Sequence, residues 1–148
     1  ALVRLDDLQA QLLSLVDKDT AAYNLFGDAF SMPKESDEEK EARRQAIRNA
    51  AKQATLVPAE TMAAAAEVAR LIAGLYAKTN QNCLSDAGVG LQMAWTAVIG
   101  AAMNVRINLS STTDEAFNAE HAQQVGSTLA EVGPLVSKAT EAIGRELS

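Results

Sequence analysis

Apolar side chains recur at alternating steps of three and four along the first thirty residues, and this repeat restricts the fold more than any other feature. The stripe consists of Leu5, Leu8, Leu12, Leu15, Asp19, Ala22, Phe26 and Ala29, with Asp19 as its one charged member. Because an α-helix turns every 3.6 residues, this spacing puts the stripe on one helix face, whereas a strand would alternate at every second residue. We predict a helix from about residue 3 to about residue 30, ending before Met32-Pro33.

Capping residues and a proline mark the next two helices. Ser36 and Glu39 are spaced as a capping box, which predicts a second helix that runs to about Thr55. Pro58 suits the first turn of a helix, where its missing N–H needs no partner. We therefore predict a third helix from Pro58 to about Ala77.

Two longer helices complete the prediction. Ser85 or Asp86 is expected to cap a fourth helix, and a capping box at Thr112 opens a last helix from about Thr113 to Leu147. Gly133-Pro134 should kink or break that last helix. The sequence therefore predicts an all-α fold, a bundle of about five long helices in a single domain.

Charge and cysteine usage exclude several classes of function. A net charge of −6 argues against nucleic acid as a partner, because phosphate binding needs a basic face. The single cysteine, Cys83, excludes an intrachain disulfide and a cysteine-based zinc cluster, which fits a reducing compartment. No charged segment precedes an apolar one as in a signal peptide, so we expect a cytoplasmic protein.

The most apolar stretch, Ala87–Leu109, is long enough to cross a membrane. Gln92, Asn104, Arg106 and Asn108 interrupt it and no positive flank precedes it, which favours a buried helix of a soluble protein over a membrane span. A helix that is apolar on every side has no face for water in a single small bundle. We therefore predict a symmetric dimer that is built on helix faces, and no membrane partner.

Asp19 is the polar residue that the apolar repeat itself singles out. Side chains three and four residues apart share a helix face, so its carboxylate should point where Leu15 and Ala22 point, whereas Asp17 faces elsewhere. We expect Asp19 to be mostly buried, and burial raises the pKa of a carboxyl group toward the range useful in proton transfer. Two interpretations stay open: a catalytic acid–base group, or a structural carboxylate that pairs with a neighbouring helix, for example through Arg106.

Two other side chains are candidates with a plain structural alternative. The Arg106 guanidinium can hold an anionic ligand through two parallel hydrogen bonds, but a cation also suits the negative end of its helix. His121 lies on the stripe of the last helix and is interpreted as a partly buried structural residue. The spacing suggests no Ser-His-Asp or Cys-His arrangement, and no glycine-rich phosphate loop is present.

Six short blocks, in order along the chain, resemble those of a known enzyme family. They are Leu15-Val16-Asp17-Lys18-Asp19-Thr20-Ala21-Ala22-Tyr23, Met32-Pro33-Lys34 with Glu38-Glu39-Lys40, Val57-Pro58, Asn82-Cys83-Leu84-Ser85-Asp86-Ala87-Gly88-Val89, Asn104-Val105-Arg106-Ile107-Asn108-Leu109, and Thr113-Asp114-Glu115-Ala116-Phe117. Together they cover most of the chain from Leu12 to Phe117. The chain resembles the family of formiminotetrahydrofolate cyclodeaminases and methenyltetrahydrofolate cyclohydrolases.

The resemblance implies an all-helical homodimer with its active site near the subunit interface, acting on a tetrahydrofolate derivative without a metal or redox cofactor. The family's essential acidic residue falls on Asp19, which should then lie near Tyr23 and near residues 82–86 or 104–108. The substrate-binding residues that the resemblance implies are Lys34, Ser85, Asp86, Asn104 and Arg106. Of these, the two cations would hold the glutamate tail of the folate, and Asp86 would pair with the pterin.

Family members begin with an additional helical segment that carries a P-G-G-G-S loop, whereas this sequence starts at Ala1 inside the next helix. We therefore expect residues 1–148 to form a single cyclodeaminase/cyclohydrolase-like domain that lacks this segment. Two classes of function follow. One is an enzyme, either a cyclodeaminase or a cyclohydrolase; the other is a non-catalytic helical dimerisation or folate-binding module in which Asp19 and Arg106 only pair.

Overall fold

A computed structural model describes residues 2–78 and 80–148, and nearly all of them are helical. The long helices are α1 (Leu2–Ser31), α2 (Asp37–Leu75), α3 (Leu84–Leu109) and α4 (Glu115–Glu146). Two single-turn 3-10 helices, Tyr76–Lys78 and Gln81–Cys83, lie between α2 and α3. No strand occurs among the described residues, so the prediction of an all-α fold is confirmed.

The second and third predicted helices form one continuous helix, so the described residues contain four long helices and not about five. α2 runs for 39 residues with Pro58 in its interior, where a proline removes the hydrogen bond to the carbonyl four residues earlier. That carbonyl, of Ala54, accepts instead a hydrogen bond of 2.5 Å from Asn108 Nδ2 on α3. A distant side chain therefore replaces the donor that the proline lacks, and the helix continues through Pro58.

The helix starts confirm one predicted capping box and correct another. The Ser36 hydroxyl accepts a hydrogen bond from the Glu39 backbone N–H at 3.1 Å, and the Glu39 carboxylate accepts one from the Ser36 N–H at 3.1 Å. At α4 the cap is Asp114 and not Thr112, because the Asp114 carboxylate accepts a hydrogen bond of 3.0 Å from the Phe117 N–H. Both caps satisfy donors that a helix start leaves free.

Two further helix boundaries differ from the prediction. α3 begins at Leu84, just ahead of the predicted caps Ser85 and Asp86. α4 continues through Gly133-Pro134, where Trp95 of α3 packs so closely that a Cβ on the glycine would lie 3.3 Å from the Trp95 ring. Most helical stability in proteins comes from tertiary packing, which here holds a helix that local propensity would end.

α2 lies at the centre of the bundle and packs against the other three helices. Ion pairs join it to two of them. Arg4–Glu67 and Lys18–Glu60 link it to α1, Arg70–Glu131 links it to α4, and the half-buried pair Lys52–Asp114 links it to the cap of α4. The main core lies between α2, α3 and α4, and its fully buried side chains include Met62, Leu91, Val98, Val125 and Val132. α1 lies outside this core and packs on α2.

α1 contacts the bundle through a narrow line within the predicted stripe. Its buried members, each seven residues after the last, are Leu8, Leu15, Ala22 and Ala29. Leu15 and Ala22 form a small cluster with Val57 of α2. Leu12 and Asp19, on the same stripe, border a gap between α1 and α3. The stripe is therefore the contact face of α1, as predicted, but only part of it is covered.

α3 is apolar on the face that the rest of the chain leaves uncovered, called the α3 outer face below. It consists of Val89, Met93, Met103 and Ile107, each 60–69% exposed, with Ala97 and Gly100 between them. By length and composition the segment Gln81–Leu109 is also apolar enough to cross a membrane, with 33% of its apolar window buried in this chain. Core helices of soluble proteins meet the same criteria, so this property alone decides nothing.

The ion pair of Lys52 and Asp114 predicts a pH-dependent contribution to stability. Lys52, whose Nζ is 2.6 Å from the carboxylate, and the Phe117 N–H hold the pKa of Asp114 below its ordinary value. A depressed carboxyl pKa stabilises the fold above the unfolded pKa, and this stabilisation is lost as the pH falls through the folded pKa. Asp114→Asn keeps a capping side chain but removes the charge.

We expect the thermal unfolding midpoint of Asp114→Asn to lie below that of the wild type at pH 7. The two midpoints should converge as the pH falls below 3.8, the ordinary value for this carboxyl group, because the wild-type side chain then also becomes neutral. Thermal unfolding followed by circular dichroism at both pH values measures the difference. An equal difference at neutral and acidic pH would contradict the electrostatic explanation.

Candidate active site

A groove runs between α1 and α3, and α2 forms its floor. It consists of two adjoining cavities of about 330 and 380 Å³ that share Asp19, Pro58 and Asn104. Asp19 of α1 lies on one wall and Asn104 of α3 on the other, while Ala54, Pro58 and Thr61 of α2 line the floor. This arrangement, called the Asp19 groove below, places a carboxylate opposite an amide.

The structure leaves Asp19 exposed, whereas the sequence predicted a mostly buried carboxylate. The repeat placed it correctly on the face of Leu15 and Ala22, but within this chain α1 packs chiefly on α2, so the side facing α3 stays open. Within residues 2–78 and 80–148 Asp19 has no hydrogen bond or ion pair, and the alternative of an Asp19–Arg106 pair is not what the structure shows. A free carboxylate on a groove wall is available to a ligand.

Further hydrogen-bonding groups and two aromatic rings complete the groove. Asn108 and Ser111 extend the α3 wall beyond Asn104, and Tyr23 and Phe26 extend the α1 wall beyond Asp19. The Tyr23 side chain is 76% exposed, so both its ring and its hydroxyl are accessible. The prediction that Asp19 lies near Tyr23 and the 104–108 segment is confirmed by these shared cavities.

Four of the five residues predicted to bind substrate lie outside the Asp19 groove of the same chain. Lys34 follows the end of α1, which is about 18 Å beyond Asp19 along the helix. Ser85 and Asp86 lie at the opposite end of α3, about 27 Å from Asn104. Arg106 is exposed. It follows Asn104 by two residues on α3, so its side chain points to a different side of that helix. One chain therefore brings together only Asp19 and Asn104 of the predicted set.

Ser85 lines a separate, apolar groove between α3 and α4. Its volume is about 650 Å³, and Val89, Met93, Ile143 and Leu147 supply much of its lining. None of the described residues that line it carries a charge. Because proton transfer needs an ionisable group, this second groove is not the candidate active site.

His121 has the structural role that its position on the helix stripe predicts. It is 7% exposed, its Nδ1 lies 2.9 Å from the Phe117 carbonyl, and its ring lies 4.1 Å from the Phe117 ring, centre to centre. Within the part of the chain that the structure describes, no three His, Cys, Asp or Glu side chains group as metal ligands would.

Asn108 and Pro58 are groove residues that the sequence alone did not select. Their link is the hydrogen bond from Asn108 to the Ala54 carbonyl, which joins two distant segments of the chain. The four-residue spacing of Asn104 and Asn108 does indicate a shared helix face. A proline inside a helix leaves the carbonyl four residues earlier without its N–H donor. The sequence alone did not show that Pro58 lies inside a helix, so this signal could not be used.

Comparison with known proteins assigns the chain to a family. A sequence profile of the formiminotransferase-cyclodeaminase family matches residues 1–127, which include every residue lining the Asp19 groove. The chain belongs to this family. Membership confirms the resemblance that the six short sequence blocks indicated.

Relatives in the family carry two different enzyme names. The chain is 34% identical over 138 residues to the methenyltetrahydrofolate cyclohydrolase of Methylorubrum extorquens, covering 93% of this chain and 66% of that protein. It is 36% identical over 122 residues to the formimidoyltransferase-cyclodeaminase of Sus scrofa, covering 82% of this chain and 23% of that protein. The match therefore spans only part of both relatives.

The fold of the family member from Thermotoga maritima is the same. The crystal structure of its formiminotetrahydrofolate cyclodeaminase superposes with a TM-score of 0.83, covering 97% of this chain and 67% of that chain. The sequence identity in this comparison is 20%, so the likeness shows a shared fold and nothing finer.

Proposed function

We propose that this chain is a folate one-carbon enzyme, a formiminotetrahydrofolate cyclodeaminase that forms 5,10-methenyltetrahydrofolate and ammonia. The observation that carries the proposal is the position of Asp19, an unpaired carboxylate opposite Asn104 in a groove between helices. Among the described residues that line this groove, Asp19 is the one carboxylate. Membership of the family supports a folate derivative as the substrate, and Asp19 in the groove is a side chain that can transfer the proton in the reaction.

The proposed reaction needs one side chain that moves a proton between two nitrogens. The formimino group reacts in its protonated amidinium form, C=NH₂⁺. N10 attacks the formimino carbon, a new C–N bond closes a five-membered ring and leaves an NH₂ group on that carbon, and the carboxylate of Asp19 accepts the N10 proton. Asp19 then returns this proton to the formimino nitrogen as the C–N bond to that nitrogen breaks and ammonia leaves. A positioned acid–base group of this kind typically contributes about 10² to 10⁴-fold to a rate. The route requires no metal or redox cofactor.

The other groove residues suit the remaining parts of a folate. Amide side chains such as that of Asn104 can hydrogen-bond the pterin, and the exposed Tyr23 ring can stack against an aromatic ring of the ligand. Lys34 lies beyond the end of α1, which is about 18 Å from Asp19 along the helix, so it would suit the anionic glutamate tail and not the reacting centre. Arg106 faces away from the groove, so it would reach a bound folate only after a rearrangement or from another subunit.

A homodimer through the α3 outer face would complete the site. If two copies of α3 pack antiparallel, the small residues Ala97 and Gly100 allow close approach at the crossing. Asp86 and Ser111 lie about twelve residues to either side of this crossing. Antiparallel pairing would therefore bring Asp86 of a second copy to the end of the groove that Ser111 lines. This arrangement would explain how Asp86, a predicted substrate-binding residue, can reach the groove although it lies far from Asp19 of its own chain.

The second candidate function is methenyltetrahydrofolate cyclohydrolase, the name of the relative from Methylorubrum extorquens. In that reaction water attacks the methenyl carbon and Asp19 would accept a proton of the water. The bond from this carbon to N5 then breaks as N5 takes one proton, a formyl group stays on N10, and the second proton is released. Both reactions pass through the same bridging carbon, so the same groove serves either one. The non-catalytic folate-binding module is the remaining alternative. Each of these functions keeps the expectation of a cytoplasmic protein without a nucleic-acid partner.

Two assays separate these functions. The purified chain is mixed with 5-formiminotetrahydrofolate, and ammonia release and methenyl absorbance are followed together. It is mixed separately with 5,10-methenyltetrahydrofolate, and the loss of that absorbance is followed. We expect both signals to rise in the first assay. Turnover only in the second assay would assign the cyclohydrolase, and turnover in neither by a folded protein that binds tetrahydrofolate would assign the module.

A further inference from the structure

The floor of the Asp19 groove contains an acceptor that the helix itself cannot satisfy. Pro58 lies inside α2 and is buried, and its nitrogen carries no hydrogen. The carbonyl of Ala54, four residues earlier, therefore loses its helical donor at the place where both residues line the groove. A carbonyl left unpaired away from water would destabilise the fold.

Asn108 supplies the missing donor from another helix. Its Nδ2 lies 2.5 Å from the Ala54 oxygen, across 54 residues of sequence, and its side chain is half-buried. This hydrogen bond ties α3 to α2 beneath the groove. It also fixes the direction of the amide, because only the NH₂ end of an asparagine side chain can donate to a carbonyl.

The fixed amide has a consequence for the ligand. With Nδ2 held by Ala54, the Oδ1 atom of Asn108 is left as an acceptor, and it has no hydrogen-bond donor among the described residues. Asn108 and Asp19 line the same cavity. A ligand group that hydrogen-bonds both the Asn108 Oδ1 and the Asp19 carboxylate must therefore bring donors such as N–H groups, since both of these oxygens accept.

We propose that Asn108 is a positioning and specificity-determining residue of the Asp19 groove, held by the carbonyl that Pro58 leaves free and selecting a ligand edge that carries N–H groups. The inference rests on the proposed function for the identity of that ligand, the N–H-bearing edge of a reduced pterin. The hydrogen bond from Asn108 to the Ala54 carbonyl that Pro58 leaves free, called the tie below, does not depend on that function.

A double-mutant cycle tests the tie without any assay of activity. Pro58→Ala restores a backbone N–H for the Ala54 carbonyl, so Asn108 is no longer needed there. We expect Asn108→Ala to lower the ratio of folded to unfolded protein on the order of tenfold in the wild-type background, and to change it little in the Pro58→Ala background. Asn104 lies on the same wall but has no hydrogen bond to Ala54 among the described residues, so Asn104→Ala should give equal effects in both backgrounds.

Ligand binding to the same variants tests the selection of N–H donors. Pro58 lines the groove floor, so the reference for tetrahydrofolate binding is the Pro58→Ala variant itself, and any effect of the lost proline ring on affinity is common to both variants compared. The double variant Pro58→Ala/Asn108→Ala should remain as stable as Pro58→Ala yet bind about tenfold more weakly, because the acceptor is gone. A merely structural Asn108 predicts no loss of affinity in this stable background.

Each outcome of the two experiments decides a separate point. Equal destabilisation by Asn108→Ala in both backgrounds would overturn the tie. A coupled cycle with unchanged tetrahydrofolate affinity in the double variant would overturn the selective role. A wild-type chain that binds no tetrahydrofolate would overturn the proposed function and the pterin assignment with it, while the cycle would still report on the tie.

Discussion

Asp19→Asn is expected to remove most turnover and to leave the fold nearly unchanged. The substitution keeps the size of the side chain and its ability to hydrogen-bond, but an amide cannot exchange a proton at neutral pH. Loss of a general acid–base group lowers the rate on the order of 10² to 10⁴-fold, equivalent to about 3 to 5 kcal/mol of barrier. Because Asp19 is exposed and unpaired within the described residues, the same change should have little effect on the free energy of unfolding.

Asp17→Asn is the matched control for this prediction. Asp17 is also exposed and lies on the same helix two residues earlier, but it does not line the groove. It should keep both turnover and tetrahydrofolate affinity. The measurements are initial rates with 5-formiminotetrahydrofolate, tetrahydrofolate binding, and thermal unfolding of both variants. Full turnover by a folded Asp19→Asn protein would end the assignment of Asp19.

Met93→Glu is expected to separate the subunits of the proposed dimer and to remove activity at the same time. Met93 is 69% exposed on the α3 outer face in the single chain, so a glutamate there does not disturb the core. In an antiparallel α3 pair the same position is buried, and two unpaired carboxylates would enter each dimer interface. Burying unpaired charges is costly, so association should weaken at least about a hundredfold.

Leu13→Glu provides the control for Met93→Glu. Leu13 is 64% exposed on a different helix, α1, so this change adds the same charge to an exposed apolar position that is not part of the α3 outer face. Analytical ultracentrifugation at micromolar concentration should show a dimer for the wild type and for Leu13→Glu, and a monomer for Met93→Glu. A wild-type monomer with full activity would show that the site is complete within one chain.

Local sequence patterns predicted the helices well where the cause was local. The capping box at Ser36 lies within one helix turn, and its atoms meet as predicted. Pro58 was misread as a helix start because a proline is most easily accommodated in the first turn. The carbonyl of Ala54, which Pro58 leaves without a helical donor, instead accepts a hydrogen bond from Asn108, 54 residues further along the chain, and no local pattern contains that information.

The position of the candidate site was predicted only in part, because local patterns do not show how the helices pack against each other. The helical repeat fixes the face on which Asp19 lies, but it does not say what packs opposite that face. In the structure α1 packs on α2, and the space between α1 and α3 remains open as a groove. Ser85 and Asp86 belong to one of the sequence blocks shared with the family, yet their distance from Asp19 depends on the direction of α3 and on the proposed second subunit.

The most direct test of the account is a crystal structure of the chain with tetrahydrofolate bound. The account predicts that the ligand lies in the Asp19 groove with its N5–N10 edge within hydrogen-bond reach of the Asp19 carboxylate, about 2.6 to 3.2 Å. Asn108 Oδ1 should accept a hydrogen bond from the pterin in the same complex. A folate bound instead in the apolar groove of Ser85 and Ile143, with Asp19 out of reach, would contradict the account.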